Sequence, residues 1–145
     1  MSSLNRYEFE VVGEFQLYTI VSVAVRNRNY FQRFHSTLNR ISRHILAVLL
    51  GRIGDEVGLE LNNPEKLKYL ATYGLWELKL NNPGFRLLMM QYGTLLILLN
   101  GFPKRSTKAT KIIRNQYELG KKLRDLIKED EDELKAALES ILGRF

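Results

Sequence analysis

The segment LWELKLNNPGFRLLMMQYGTLLILL, residues 75–99, holds three short apolar runs separated by two turn signals. LWELKL (75–80), FRLLMMQ (85–91) and TLLILL (94–99) are each of strand length, and NNPG and QYG between them suit hairpins. The segment therefore predicts an antiparallel meander. In its first strand Glu77 and Lys79 share one face while Trp76, Leu78 and Leu80 share the other, and in the second Arg86 shares a face with Leu88 and Met90. The third run is apolar on both faces, which predicts a central strand covered on both sides.

Upstream, EFQLYTIVSVAV (14–25) is rich in β-branched and aromatic residues and reads as an N-terminal strand. After it, Phe31, Phe34, Leu38, Ile41, Ile45 and Leu49 step by three and four, the spacing of one helix face, while Arg26, Arg33 and Arg40 recur every seven residues on another. GDEVGLELNNPEK reads as a helix remnant and a loop. Downstream, KATKIIRNQYELGKKLRDLIKE is helical, and DEDELKAALESILGRF opens on acids that suit a helix N-terminus. The expected fold is α+β: a small antiparallel sheet, made of a three-strand meander plus an N-terminal strand, packed against helices. Residues 1–128 are expected to form the domain, with 1–15 a possible N-terminal extension and 129–145 an extra acidic C-terminal helix.

The 145 residues fit one domain, and an apolar content of 45% suffices for one core. No run approaches the ~20 apolar residues of a membrane span, and MSSLNRYEFE lacks the apolar centre of a secretory signal. Without cysteine there are no disulfides and no thiolate metal sites, which fits a cytoplasmic protein. His35 and His44 stand nine apart, so no metal site is expected of them; no cofactor is expected either.

Charge is unevenly spread. Arg26 to Arg52 contains six arginines and no acid; Phe102 to Lys128 contains nine cations against Glu118 and Asp125; Glu129 to Phe145 contains six acids against Lys135 and Arg144. Two basic blocks point to a polyanionic partner, with a solvated mixed-charge surface as the plainer alternative.

The meander and its exit carry a further pattern. Lys68 and Leu70 precede Gly74-Leu75-Trp76-Glu77-Leu78; then come Phe85-Arg86-Leu87-Leu88, Leu98-Leu99-Asn100-Gly101-Phe102, and Lys104-Arg105-Ser106 with further lysines. In order and spacing over residues 64 to 111 this resembles the phage-derived HigB-like branch of the RelE/ParE toxin superfamily. Two departures stand out: Lys79 replaces the usual arginine, and Asn100 a frequent histidine.

The resemblance implies a RelE-like fold and the toxin of a type II toxin-antitoxin system. Such a toxin inhibits translation as an mRNA interferase, a metal-independent endoribonuclease that cuts messenger RNA on the ribosome. A cognate helix-turn-helix antitoxin is the implied partner. Attack by the ribose 2′-hydroxyl on the adjacent phosphorus needs alignment, charge stabilisation and proton transfer, and Lys and Arg supply the second. Arg86 is the expected transition-state clamp, its alternative role a salt bridge to Glu77. Lys79, Lys68 and Lys104 are the next catalytic candidates. Arg105, Lys108, Asn100, Tyr92, Arg33 and Arg40 are candidate RNA contacts, though Asn100 cannot act as a general base. Trp76, Phe85 and Phe102 are expected in the core. Two alternatives stay open: a ParE-like gyrase poison, and an inactive scaffold binding nucleic acid or protein. For the acidic C-terminal helix, one possibility is that it folds over the cationic site.

Overall fold

The structure, a computed structural model, describes residues 7–57, 66–80, 84–104 and 111–142. The elements run β1 (Tyr7–Glu14), β2 (Thr19–Val25), β3 (Arg28–Asn29), α1 (Tyr30–Thr37), α2 (Arg40–Arg52), a π-helical turn (Ile53–Val57), β4 (Leu67–Leu70), β5 (Leu75–Leu80), β6 (Phe85–Tyr92), β7 (Leu95–Pro103), α3 (Lys111–Glu129) and α4 (Glu131–Leu142). The class is α+β. The sheet, however, is larger than expected and mixed. Its order is β1-β2-β7-β6-β5-β4, with the two-residue β3 paired to the end of β2. All neighbours are antiparallel except β2 and β7, which run parallel with Thr19 opposite Leu95 and Ser22 opposite Leu98.

Two strands escape the sequence pattern. LKYL (β4) is only four residues long and exposes Lys68 and Tyr69, so it lacks a clear alternation. Tyr7–Glu14 (β1) pairs with β2 through an antiparallel hairpin, and the strand expected over 14–25 begins at Thr19. The β6–β7 hairpin closes as the sequence suggests. Tyr92 pairs with Leu95, and Gly93, at φ 58, takes the left-handed conformation the two-residue loop requires.

The sheet is covered on both faces. One cluster joins Ile20, Leu78, Leu87, Met89, Leu96 and Leu98 to Phe31 and Phe34 of α1 and Leu46 and Leu50 of α2. The other joins Val21, Leu75, Leu88, Ile97 and Leu99 to Leu123 and Ile127 of α3 and Leu134 and Ile141 of α4. The acidic helix α4 packs beside β1, where Tyr7 donates its hydroxyl proton to the Asp130 carbonyl at 3.1 Å. That edge is the far one from β5 and β4, so α4 shares the α3 face but does not lie over the cations at the other end of the strand order.

The helix expected over 31–49 is two helices. Leu38 is extended, and the Asn39 side chain accepts from Ser42 N–H at 2.8 Å, capping a new helix. The break resets the phase, so α2 buries Ser42, Leu46 and Leu50 and leaves Ile41 71% and Ile45 36% exposed. Arg26 sits in the β2–β3 turn with φ 50, Arg33 on α1 and Arg40 on α2, so the arginine stripe is not one helix face.

A bulge in β7 changes which side chains the end of the sheet presents. Leu88 opposes Asn100 but Met89 opposes Leu98, so Leu99 is an extra residue. Leu95, Ile97 and Leu99 face α3, and after the bulge Asn100 and Phe102 face it as well. Gly101 then turns toward α1. A Cβ there would meet the Phe34 ring at 2.3 Å, and Phe34 is itself held edge-on to Phe85 at 5.3 Å.

Two substitutions test this packing. Gly101→Ala overpacks the α1 contact and is expected to lower unfolding free energy by about 1–3 kcal/mol. Asn39→Ala removes the α2 cap and costs about 1 kcal/mol. Urea denaturation of each against the parent chain measures both, and Gly101→Ala at parental stability would contradict the α1 contact described.

Candidate functional site

Strand register places the chemistry-bearing residues in rows across the α3 face. Lys68, Glu77, Leu88 and Asn100 are successive partners across β4, β5, β6 and β7. One step along, Lys79, Arg86 and Phe102 form the next row. Beyond it Lys104 donates its backbone N–H to Gly84 O at 3.0 Å, which fixes the chain as it leaves β7. The period of two therefore brings Lys68, Lys79 and Arg86 onto one face with Glu77, and Lys104 follows at the same end of the sheet.

Helix α3 lies over these rows and adds Tyr117, a residue that no motif or spacing in the sequence marks. The Tyr117 ring stacks on Tyr73 (centroids 5.4 Å) and meets Phe102 edge-on (5.2 Å), with Lys104 Nζ 6.0 Å from its centroid. Its hydroxyl donates a short hydrogen bond to Glu77 Oε2. Glu77 is 3% exposed, and its other oxygen lies 4.0 Å from Lys79 Nζ, at the outer limit of an ion pair. Among the described residues no ion pair joins Glu77 to Arg86. The Arg86 guanidinium donates through Nη1 to the Phe85 carbonyl at 3.0 Å, and its Nε is buried without a hydrogen-bond partner.

Burial raises the Tyr117 phenol well above the ordinary tyrosine value; the hydrogen bond to the Glu77 carboxylate and that group's charge add to the shift, and Arg86 opposes it. The phenol is thus held neutral, a donor poised between a carboxylate and a row of cations. Taking Glu77 out of water without partners would cost several kcal/mol, so the Tyr117 hydroxyl and the nearby ammonium are what make its position tenable.

The other expected site residues are distributed differently. Asn100 is 1% exposed and spends its amide on Gln116, donating to the backbone carbonyl at 3.0 Å and to Oε1 at 3.1 Å. It is a brace between β7 and α3, not a surface contact for RNA. Tyr92 lies at the far end of β6 from Arg86, roughly 20 Å away at the rise of a strand. Arg33 and Arg40 are exposed on α1 and α2, which cover the opposite face. Arg105 and Lys108 lie outside the described residues. Among the described residues no group of three His, Cys, Asp or Glu side chains converges as a metal would need.

One signal for the missed pair was present. Glu77 is the sole acid in residues 66–104, set between apolar neighbours on a strand, and a buried carboxylate needs a donor. Which donor answers it depends on how α3 crosses the sheet, and no local pattern encodes that.

The raised phenol has a consequence at high pH. The folded state keeps the Tyr117 proton where the unfolded chain releases it near the ordinary value of 10.0, so this stabilisation is complete below that pH and is lost as pH rises above it. The parent chain is expected to lose stability more steeply above pH 10 than Tyr117→Phe does, as read from urea midpoints across an alkaline series. Parallel curves would refute the shift. No protein-family model matches the chain, and no curated protein matches its sequence.

Proposed function

We propose that this chain is a toxin of a type II toxin-antitoxin system, a metal-independent endoribonuclease that cuts messenger RNA on the ribosome. In this reading the fold is the RelE-like one of the HigB-like branch, the protein works in the cytoplasm, and a helix-turn-helix antitoxin holds it inactive. The observation that carries the reading is the convergence of Lys68, Lys79, Arg86 and Lys104 at one end of one sheet face. It adds to the motif order of residues 64 to 111.

The chemistry rests on what those groups can do. The RNA supplies its own nucleophile, the 2′-hydroxyl, so the protein need only hold the scissile linkage in line and stabilise the charge gathering on the phosphorane oxygens. Arg86 is the clamp. Its strand backbone is rigid and its side chain is half-buried, which holds the guanidinium in place for a phosphate oxygen. Lys79, its cross-strand neighbour, adds a second charge, while the exposed Lys68 and the half-buried Lys104 steer the backbone in. Burial of Asn100, at the position where the branch often has histidine, favours a second reading: a scaffold with the same fold and no turnover.

Expression of the chain alone in a bacterial host, beside Arg86→Ala, separates these readings. The nuclease gives growth arrest and new messenger 5′ ends, and the variant is expected to cut about 10²–10³-fold more slowly, the usual cost of losing one charge-stabilising donor. Arrest without new 5′ ends would turn the assignment to gyrase. No arrest from a folded, soluble chain would favour the scaffold.

A further inference from the structure

We infer that Tyr117 and Glu77 together are the proton acceptor for the 2′-hydroxyl, with Tyr117 touching the ribose and Glu77 acting through it. The inference rests on the nuclease reading and supplies the step that reading leaves open. On the four meander strands Glu77 is the sole carboxylate; the other ionisable groups sharing its end of the face are Lys68, Lys79, Arg86 and Lys104. Cations can stabilise a phosphorane but do not accept a proton while charged. Asn100 has no basic atom and its amide is engaged by Gln116. The acceptor must therefore come from the Glu77–Tyr117 pair or from solvent.

The geometry suits the relay. Glu77 is too buried to meet RNA directly, but the phenol that reaches it belongs to a half-exposed ring wedged between Tyr73 and Phe102. Two aromatic contacts and one hydrogen bond leave that ring little freedom, which a proton-transfer group requires. A neutral phenol hydrogen-bonded to a carboxylate passes its own proton on as it takes another.

In the step, the O2′–H bond breaks and its proton moves to the Tyr117 oxygen while the phenol proton moves to Glu77 Oε2. The O2′–P bond forms and the P–O5′ bond breaks. The departing 5′-oxygen takes a proton from the Lys79 ammonium, leaving a 2′,3′-cyclic phosphate and a 5′-hydroxyl. Glu77 then returns its proton to solvent through Tyr117, and Lys79 regains one. The charged and titratable groups around the phenol are Lys68 of β4, Tyr73 of the β4–β5 turn, Lys79, Arg86 and Lys104 on the sheet side, and Arg124 of α3 beside Gly74.

The test is single-turnover cleavage of a short messenger on programmed ribosomes, across a pH series, with the parent chain, Tyr117→Phe and Glu77→Gln. Each substitution is expected to slow cleavage by about 10²-fold or more, the usual worth of a positioned base, with RNA affinity changed by less than about twofold. The shape of the parent's pH–rate profile is expected to change in Glu77→Gln. Tyr117→Phe removes a single oxygen, so it remains informative if Glu77→Gln folds poorly, and thermal denaturation monitors both. Parental rates in Tyr117→Phe, or slowing that tracks lost stability with an unchanged pH profile, would reduce the pair to an anchor for α3. A parent chain that does not cleave would overturn the nuclease reading and this inference with it; a cleaving parent with unaffected variants overturns the relay alone.

Discussion

A strand with no polar face is the constraint on which this molecule is built. Leu95 to Leu99 of β7 are fully buried, and such a run can be kept from water only by a layer on each side and a strand on each edge. Its antiparallel partner comes locally from β6. The other edge is filled from far away, by β2 in parallel register. Helices α1 and α2 close one face, α3 and α4 the other. Each of those elements is amphipathic or doubly apolar in the way its place demands, and α1, with eight residues, is too short to be stable alone.

The same strand must also end. Where β7 leaves the core, one extra residue at Leu99 changes the side-chain phase, so the final turn of the sheet presents Asn100 and Phe102 to α3 and Gly101 to α1. Asn100 then braces Gln116, and Phe102 supports the Tyr117 ring. A small irregularity in the ladder thus decides how α3 is seated, and that seating brings a phenol over the lone carboxylate of the meander. The aliphatic strand and the charged end of the sheet are two parts of one arrangement: rigid packing behind, and ionisable groups held in front of it.

Much of this could be read from the residues. Alternation in residues 75–91 and the NNPG and QYG breaks gave the β5, β6 and β7 hairpins, and with period two they put Lys79 and Arg86 on a common face. The parallel partner of β7 could not be read, because pairing between Thr19 and Leu95 leaves no trace in either segment. The bulge was hidden because leucine occupies both faces of the run, so a phase change has no polar marker. In residues 31–49 the apolar spacing continues across the break at Leu38, and Asn39 was the only sign that one helix ends and another begins. Tyr117 looked like one more residue of a basic amphipathic helix. Its importance comes from tertiary packing, which a one-dimensional pattern does not contain.

The parallel pairing of β2 with β7 also orders events during synthesis. The N-terminal hairpin can form early, but its inner strand has no second neighbour until Leu95 to Leu98 have left the ribosome, and the α3 face stays open until Tyr117 emerges. A chain built this way holds all four cations of its sheet before it acquires the helix that organises them. Its complete face is therefore assembled only after α3 has followed the whole sheet out of the ribosome.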